Sequence, residues 1–315
     1  MAHELTIRED GKVEMAWIGE KPWHGLGVEM RPNATIEEWK HAAGMDWNVE
    51  SSRVVFRARG SHKVVVIDDS VVLHRSDNDS PLGIVSSSYE VVQPNEAFDF
   101  FRDLIHSIGL EINTAGTLFG GKRYFVSAKI GEQALIQNDN IRGYLLFTTS
   151  ADGTLKTRAK FVSERVVCNN TLSIALGEKN KGGEVAISHR SKFDADAARE
   201  ALGLAPKTFE TFMADMRKLT TRRLSSDIAE TMTQKLVGKD QKANKRIAEL
   251  FMGDAKGFSA EGFKGTAWGW LNSVTEYVDH GMRAKSESHR ISNALFGIGD
   301  TLKNTAREMA IDYVS

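Results

Sequence analysis

Two periods divide the chain. Up to about residue 190 the apolar positions alternate in short runs, as on strands, whereas from Asp194 onward they recur every three or four residues, as on helices. In the first part, residues 54–57, 63–67 and 71–74 are rich in β-formers, and Asp68-Asp69-Ser70 between the last two predicts a hairpin turn. Residues 83–85 form a further short strand, and 110–115, 122–130, 142–149 and 154–162 continue the pattern. Ala151-Asp152-Gly153 joins the last pair as a hairpin.

Two helices interrupt these strands. Thr35 and Glu38 stand in capping-box spacing ahead of Gly44, so a short helix follows Thr35. Pro94 opens a second one, with Ala97, Phe98, Phe101, Leu104, Ile105 and Ile108 on one stripe and Gly109 as its stop. Val167, Leu172, Ile174, Ala175 and Leu176 predict a short buried helix with Cys168 at its edge, and Gly182-Gly183 introduces a last strand through E-V-A-I-S-H-R. Helices are expected over 194–202, 205–219, 225–236, 241–251, 261–281 and 286–313, the last broken at 297–299. The fold class is therefore α+β: a central antiparallel sheet with packed helices over 1–193, then an all-α region over 194–315.

Composition excludes several classes. With 41% of its 315 residues hydrophobic and 26% charged, the chain buries an ordinary core and is not a disordered tail. No apolar run approaches the length of a membrane span and the first residues lack an apolar leader, so a cytoplasmic protein without membrane contact is expected. The lone Cys168 excludes an internal disulfide framework and a multi-cysteine zinc site. As a nucleophile it lacks a neighbouring base, since His24 and His189 are both distant in sequence. No P-loop motif is present, and no cofactor is implied.

Charge distribution says more than the net charge of -1. Residues 122–192 carry twelve Lys/Arg against six Asp/Glu, which leaves the remainder of the chain acidic. Strand alternation sets Lys156, Arg158 and Lys160 on one face and Leu155, Thr157, Ala159 and Phe161 on the other. Next-but-one side chains are about 6.7 Å apart, close to the phosphate repeat of an extended polynucleotide. On the strand over 122–130, Arg123, Phe125, Ser127 and Lys129 likewise oppose Tyr124, Val126, Ala128 and Ile130. An aromatic ring among cations can stack a base. Gly120-Gly121 beside Lys122 and Arg123 would let the backbone approach a phosphate.

The expected interface is therefore Lys122, Arg123, Phe125, Lys129, Lys156, Arg158, Lys160 and Arg165, with single-stranded DNA as partner. A face charged merely for solubility would show the same alternation. Glu276 and His280 at i, i+4, with Asp279, are the best candidate metal ligands, and would support a metal-dependent nucleic-acid enzyme. They lie opposite Trp268, Leu271, Val274 and Val278 on one helix, so that stripe could equally be solvated. Trp268 and Trp270 are candidate anchors for self-assembly or for a host or phage protein.

The segments P-W-H-G-L-G (22–27), Y-E-V-V-Q-P-N-E-A-F (89–98), T-A-G-T-L-F-G-G-K-R (114–123), R-V-V-C-N-N-T-L (165–172) and N-S-V-T-E-Y-V-D-H (272–280) together resemble a family of phage- and plasmid-encoded proteins classed as a domain of unknown function. That resemblance implies mobile-element DNA in a bacterial host cell and transfers no catalytic residue. A histidine common in relatives at the 151 turn is Ala151 here. The sheet-plus-helix layout also resembles the single-strand annealing proteins of phages, which implies a basic groove beside a sheet, self-assembly, and annealing or recombination without nucleotide hydrolysis. The competing expectation is a protein-interaction or counter-defence module acting on a host protein.

Overall fold

Alternation of buried and outward positions along four consecutive strands builds the centre of the molecule. The computed structural model describes residues 5–19, 26–136, 139–165, 171–173, 184–202, 206–255, 262–285, 289–290, 293–294 and 297–315. In chain order the first elements are β1 (Met15–Trp17), β2 (Val28–Glu29), α1 (Ile36–Ala42), β3 (Val49–Arg57), β4 (Val64–Arg75), β5 (Pro81–Ser86) and α2 (Pro94–Ile108). The main strands follow as β6 (Glu111–Leu118), β7 (Arg123–Ile136), β8 (Asp139–Ser150), β9 (Thr157–Arg165), β10 (Thr171–Ser173) and β11 (Glu184–Ile187). The helices α3 (Ala195–Leu202), α4 (Pro206–Thr221), α5 (Ser226–Val237), α6 (Gln241–Glu249), α7 (Ala267–Glu276) and α8 (Ile298–Val314) follow, with π-helical turns over Leu250–Asp254 after α6 and Tyr277–Gly281 after α7.

The larger sheet runs β10-β9-β8-β7-β6-β1-β2, antiparallel except for the parallel pair β1–β2. β10 and β11 share the outer edge of β9. A second sheet has the order β3-β4-β5. The fold is α+β, as the two periods imply. Tyr124, Val126, Ala128 and Ile130 of β7 are buried, as are Ala159 and Phe161 of β9. They join one apolar cluster with Phe98, Phe100, Phe101 and Leu104 of α2 and, further along the chain, with Trp268, Trp270 and Leu271 of α7. Pro94 at the first turn and Gly109 in the left-handed region (φ 67°) bound α2. At α1 the capping box forms: the Glu38 N–H donates to Thr35 Oγ1, and the Thr35 N–H donates to Glu38 Oε2 at 2.7 Å.

Three expectations need correction. Asp68-Asp69-Ser70 is no hairpin turn; it is a bulge within the continuous strand β4, because the register on β3 jumps from Arg53 opposite Val71 to Val54 opposite Ile67. The turn instead lies at 58–63, closed by the Ala58 N–H donating to the Lys63 carbonyl. Thr171–Ser173 is a strand on β9 where a helix was expected, since the edge of β9 supplies backbone partners there. Cys168 and the rest of that segment lie outside the described residues, as do Pro22, Trp23, His24 and Gly25. Lastly, β9 starts at Thr157, so Lys156 belongs to the preceding loop.

The two sheets are joined through a buried clasp. Arg75 of β4 forms a fork on Glu14, with Nη2 2.7 Å from Oε1 and Nη1 3.0 Å from Oε2, and its guanidinium lies 4.3 Å from the centre of the Trp47 ring. Burial opposes the charge on Arg75, but the hydrogen bonds to Asp77 and Glu14 outweigh it and hold its pKa above the ordinary arginine value. Among the described residues no helix is long and apolar enough to cross a membrane.

Candidate nucleic-acid interface

Strand register decides which of the expected side chains meet. Phe125, Thr148 and Arg158 stand opposite one another on β7, β8 and β9, as do Ser127, Leu146 and Lys160, and then Lys129, Tyr144 and Val162. Arg123, Phe125, Lys129, Arg158 and Lys160 therefore share the face turned away from α2. They do not form an open track.

Lys160 breaks it. Its side chain is fully buried, and Nζ lies 3.0 Å from Oδ1 of Asp300 at the start of α8. Beside it on α8, Lys303 is also buried, with Nζ donating to Asp279 Oδ1 at 2.7 Å. Arg307, two turns beyond Asp300, is buried as well, and desolvation lowers its pKa. The helical half thus covers the middle of the basic face. Phe125 is half-buried and packs on Tyr144, Leu146 and Val162, so its ring is not an open stacking platform. Half-buried Lys129 lies one register row beyond Lys160, opposite Tyr144 and Val162, whereas Arg165 pairs with Ile141 in step with Phe161 and out of step with Lys160, so the register does not place it in the basic row as expected; its side chain is outside the described residues.

What remains together is a corner where β7 and β9 both begin. Arg123 is held from two sides: Nη2 and Nε are 3.0 and 3.3 Å from Thr154 Oγ1, and the guanidinium sits 5.1 Å from the centre of the Phe119 ring. Thr154 is fixed in turn by Asp152, whose Oδ1 accepts from its backbone N–H at 2.9 Å. Leu155 is anchored by its N–H to Ser150 Oγ and by its carbonyl, which lies 3.1 Å from His189 Nε2. Lys156 follows, exposed, with half-buried Arg158 two residues on and half-buried Lys122 beside Arg123. Tyr89 supports the loop from below, donating to the Ser150 carbonyl at 2.8 Å and stacking on His189 at 4.3 Å. Burial pushes the Tyr89 hydroxyl up to about 12, so it stays a neutral donor at physiological pH.

The ring against the cations is therefore Phe119, which alternation misses because it lies outside any strand, in a turn with φ 57°. Its neighbour Gly121 offers nothing to a phosphate. The Gly121 N–H is spent on the Leu118 carbonyl and on Thr6 Oγ1, and the residue is buried beneath Trp47 and Arg75.

The other candidates do not assemble. Asp279 is bound to Lys303, Glu276 is buried and His280 is exposed. Among the described residues, no group of three or more His, Cys, Asp or Glu could hold a metal ion. The polar stripe is not solvated along α7, whose ten residues are all buried; only its far end at His280, beyond α7, is exposed. Trp268 and Trp270 are core residues, the latter donating from Nε1 to Thr233 Oγ1 at 2.9 Å, so neither is an exposed anchor.

A family model described as a Domain of unknown function (DUF932) matches residues 81–295, which includes the whole corner. No curated protein and no solved structure matches the chain.

Proposed function

The chain belongs to the DUF932 family, and from that premise we propose that it is a non-enzymatic, phage- or plasmid-encoded protein that binds single-stranded DNA at the corner formed by Lys122, Arg123, Lys156 and Arg158. Annealing or recombination in a bacterial cytosol is the role such binding serves. The observation that carries the reading is the clamped Arg123: a guanidinium held by Thr154 and Phe119 beside an exposed lysine presents fixed positive charge to a phosphate at little entropic cost. Phe119 is half-buried, with Arg123 over its ring and His289 edge-on at 5.5 Å between ring centres, and the part of the ring left uncovered lies next to the phosphate contacts, an arrangement that suits sequence-tolerant single-strand binding. Lys160 has no part in it.

The test compares two sets of variants in a fluorescence binding assay with a short oligodeoxynucleotide. Arg123→Ala, Lys156→Ala and Arg158→Ala combined should weaken binding by about tenfold or more at moderate salt. Lys129→Ala, one register row beyond Lys160, should leave it unchanged. Equal affinity of the triple variant and the wild type would discard the site.

A further inference from the structure

The β3–β4 hairpin is built like an interior strand pair and placed outside. Beyond the bulge, Val54, Val55, Phe56 and Arg57 stand opposite Ile67, Val66, Val65 and Val64, and β5 pairs only with the part of β4 from Ser70 onward. One face of this two-stranded arm carries Val54, Phe56, Val65 and Ile67; the other carries Val55, Val64 and Val66 with Arg57. Apolar residues on both faces mark a strand covered from both sides. Here Val55 is 53%, Phe56 50% and Val64 60% exposed, and Val65, Val66 and Ile67 are exposed too. A bare hairpin with that surface is marginally stable in water and invites association.

The charges on the arm select its occupant. Its tip is basic, with Arg57, Arg59 and Lys63, and its base is acidic on balance, with Glu50, Asp68 and Asp69 against Arg53; all seven are exposed. A partner surface of one sign would satisfy one end and repel the other. A second arm laid antiparallel against the first satisfies both, since each basic tip then meets an acidic base across a two-fold axis. We propose that the chain self-associates through this arm, the Val54, Phe56, Val65 and Ile67 face of one copy packing on the same face of a second. From Val54 to the tip the arm spans about 20 Å and is about 10 Å across, a footprint below the roughly 800 Å² per partner of standard interfaces. The association is accordingly weak, in the micromolar range, and reversible. It is independent of the polynucleotide reading, because the arm carries none of the corner residues.

Sedimentation of the full chain without nucleic acid, over about 1 to 200 μM, should show a concentration-dependent dimer. Phe56→Ser with Val65→Ser should weaken it by about tenfold or more. Two charge-reversed chains separate arm pairing from other causes: one carries Arg57→Glu, Arg59→Glu and Lys63→Glu, the other Glu50→Lys, Asp68→Lys and Asp69→Lys. Each alone should be monomeric, whereas an equimolar mixture should recover dimer, because acidic tip then faces basic base. A misfolded variant would not recover on mixing. A wild type that stays monomeric throughout, a dimer indifferent to the apolar pair, or a mixture that fails to associate would overturn the proposal. Binding of the wild-type arm to anionic vesicles while the chain stays monomeric would assign it to a lipid surface instead.

Discussion

Lys160 of β9 and Asp300 of α8 meet at 3.0 Å with the lysine wholly buried, so a residue expected to face a phosphate faces a carboxylate of its own chain. Burying both charges is costly, and their attraction offsets the cost only while both are present. Asp300→Ala should therefore destabilise by about 3 to 5 kcal/mol, whereas Lys160→Met combined with Asp300→Leu should cost much less or nothing. Urea unfolding monitored by circular dichroism checks the order of the two. A milder loss in the single variant than in the double one would mean the pair is not buried as described.

Gly269 lies inside α7, where replacing glycine by alanine in open space would gain about 1 kcal/mol. Here a Cβ would stand 2.0 Å from the Phe263 carbonyl oxygen. Gly269→Ala should reverse the usual sign and cost about 1 to 3 kcal/mol or more. A stabilised variant in the same unfolding assay would show that the 262–266 turn does not approach the helix so closely.

Glu38 gives a signature in pH. Hydrogen bonds from the Thr35 backbone, Arg31 and the Thr35 hydroxyl lower its pKa from 4.5 to about 2. Because the folded value is depressed, its contribution is complete above about 4.5 and fades as pH falls toward 2. The melting temperature of Glu38→Gln should lie below that of the wild type near neutrality, and the gap should close over that acid window. A gap independent of pH would show that the carboxylate charge does not matter to the cap.

Much of this fold is legible in the pattern of residues, for physical reasons that differ by element. Thr35, Pro94 and Gly109 bound their helices because capping and left-handed backbone are local requirements. The faces of β7 and β9 follow from alternation, and the register confirms that Arg123, Phe125, Arg158 and Lys160 lie on one side. Alternation cannot say what covers a face, and the cover over Lys160 comes from a helix that begins 138 residues later, at Ile298. Three polar residues in succession read as a turn at Asp68, yet a bulge absorbs them because β3 continues unbroken alongside. Phe119 carried no periodic signal, since its role depends on a turn that brings its ring under Arg123.

Binding of single-strand phosphates at the corner around Arg123, as proposed, is read directly by a salt titration. If about four phosphates are neutralised, the logarithm of the association constant for an oligodeoxynucleotide should fall against the logarithm of salt with a slope of about -3. The variant lacking Arg123, Lys156 and Arg158 should flatten it to about -1, and duplex of the same length should bind more weakly. Saturable binding absent at low salt, or a slope that the three substitutions leave unchanged, would refute phosphate binding at this corner.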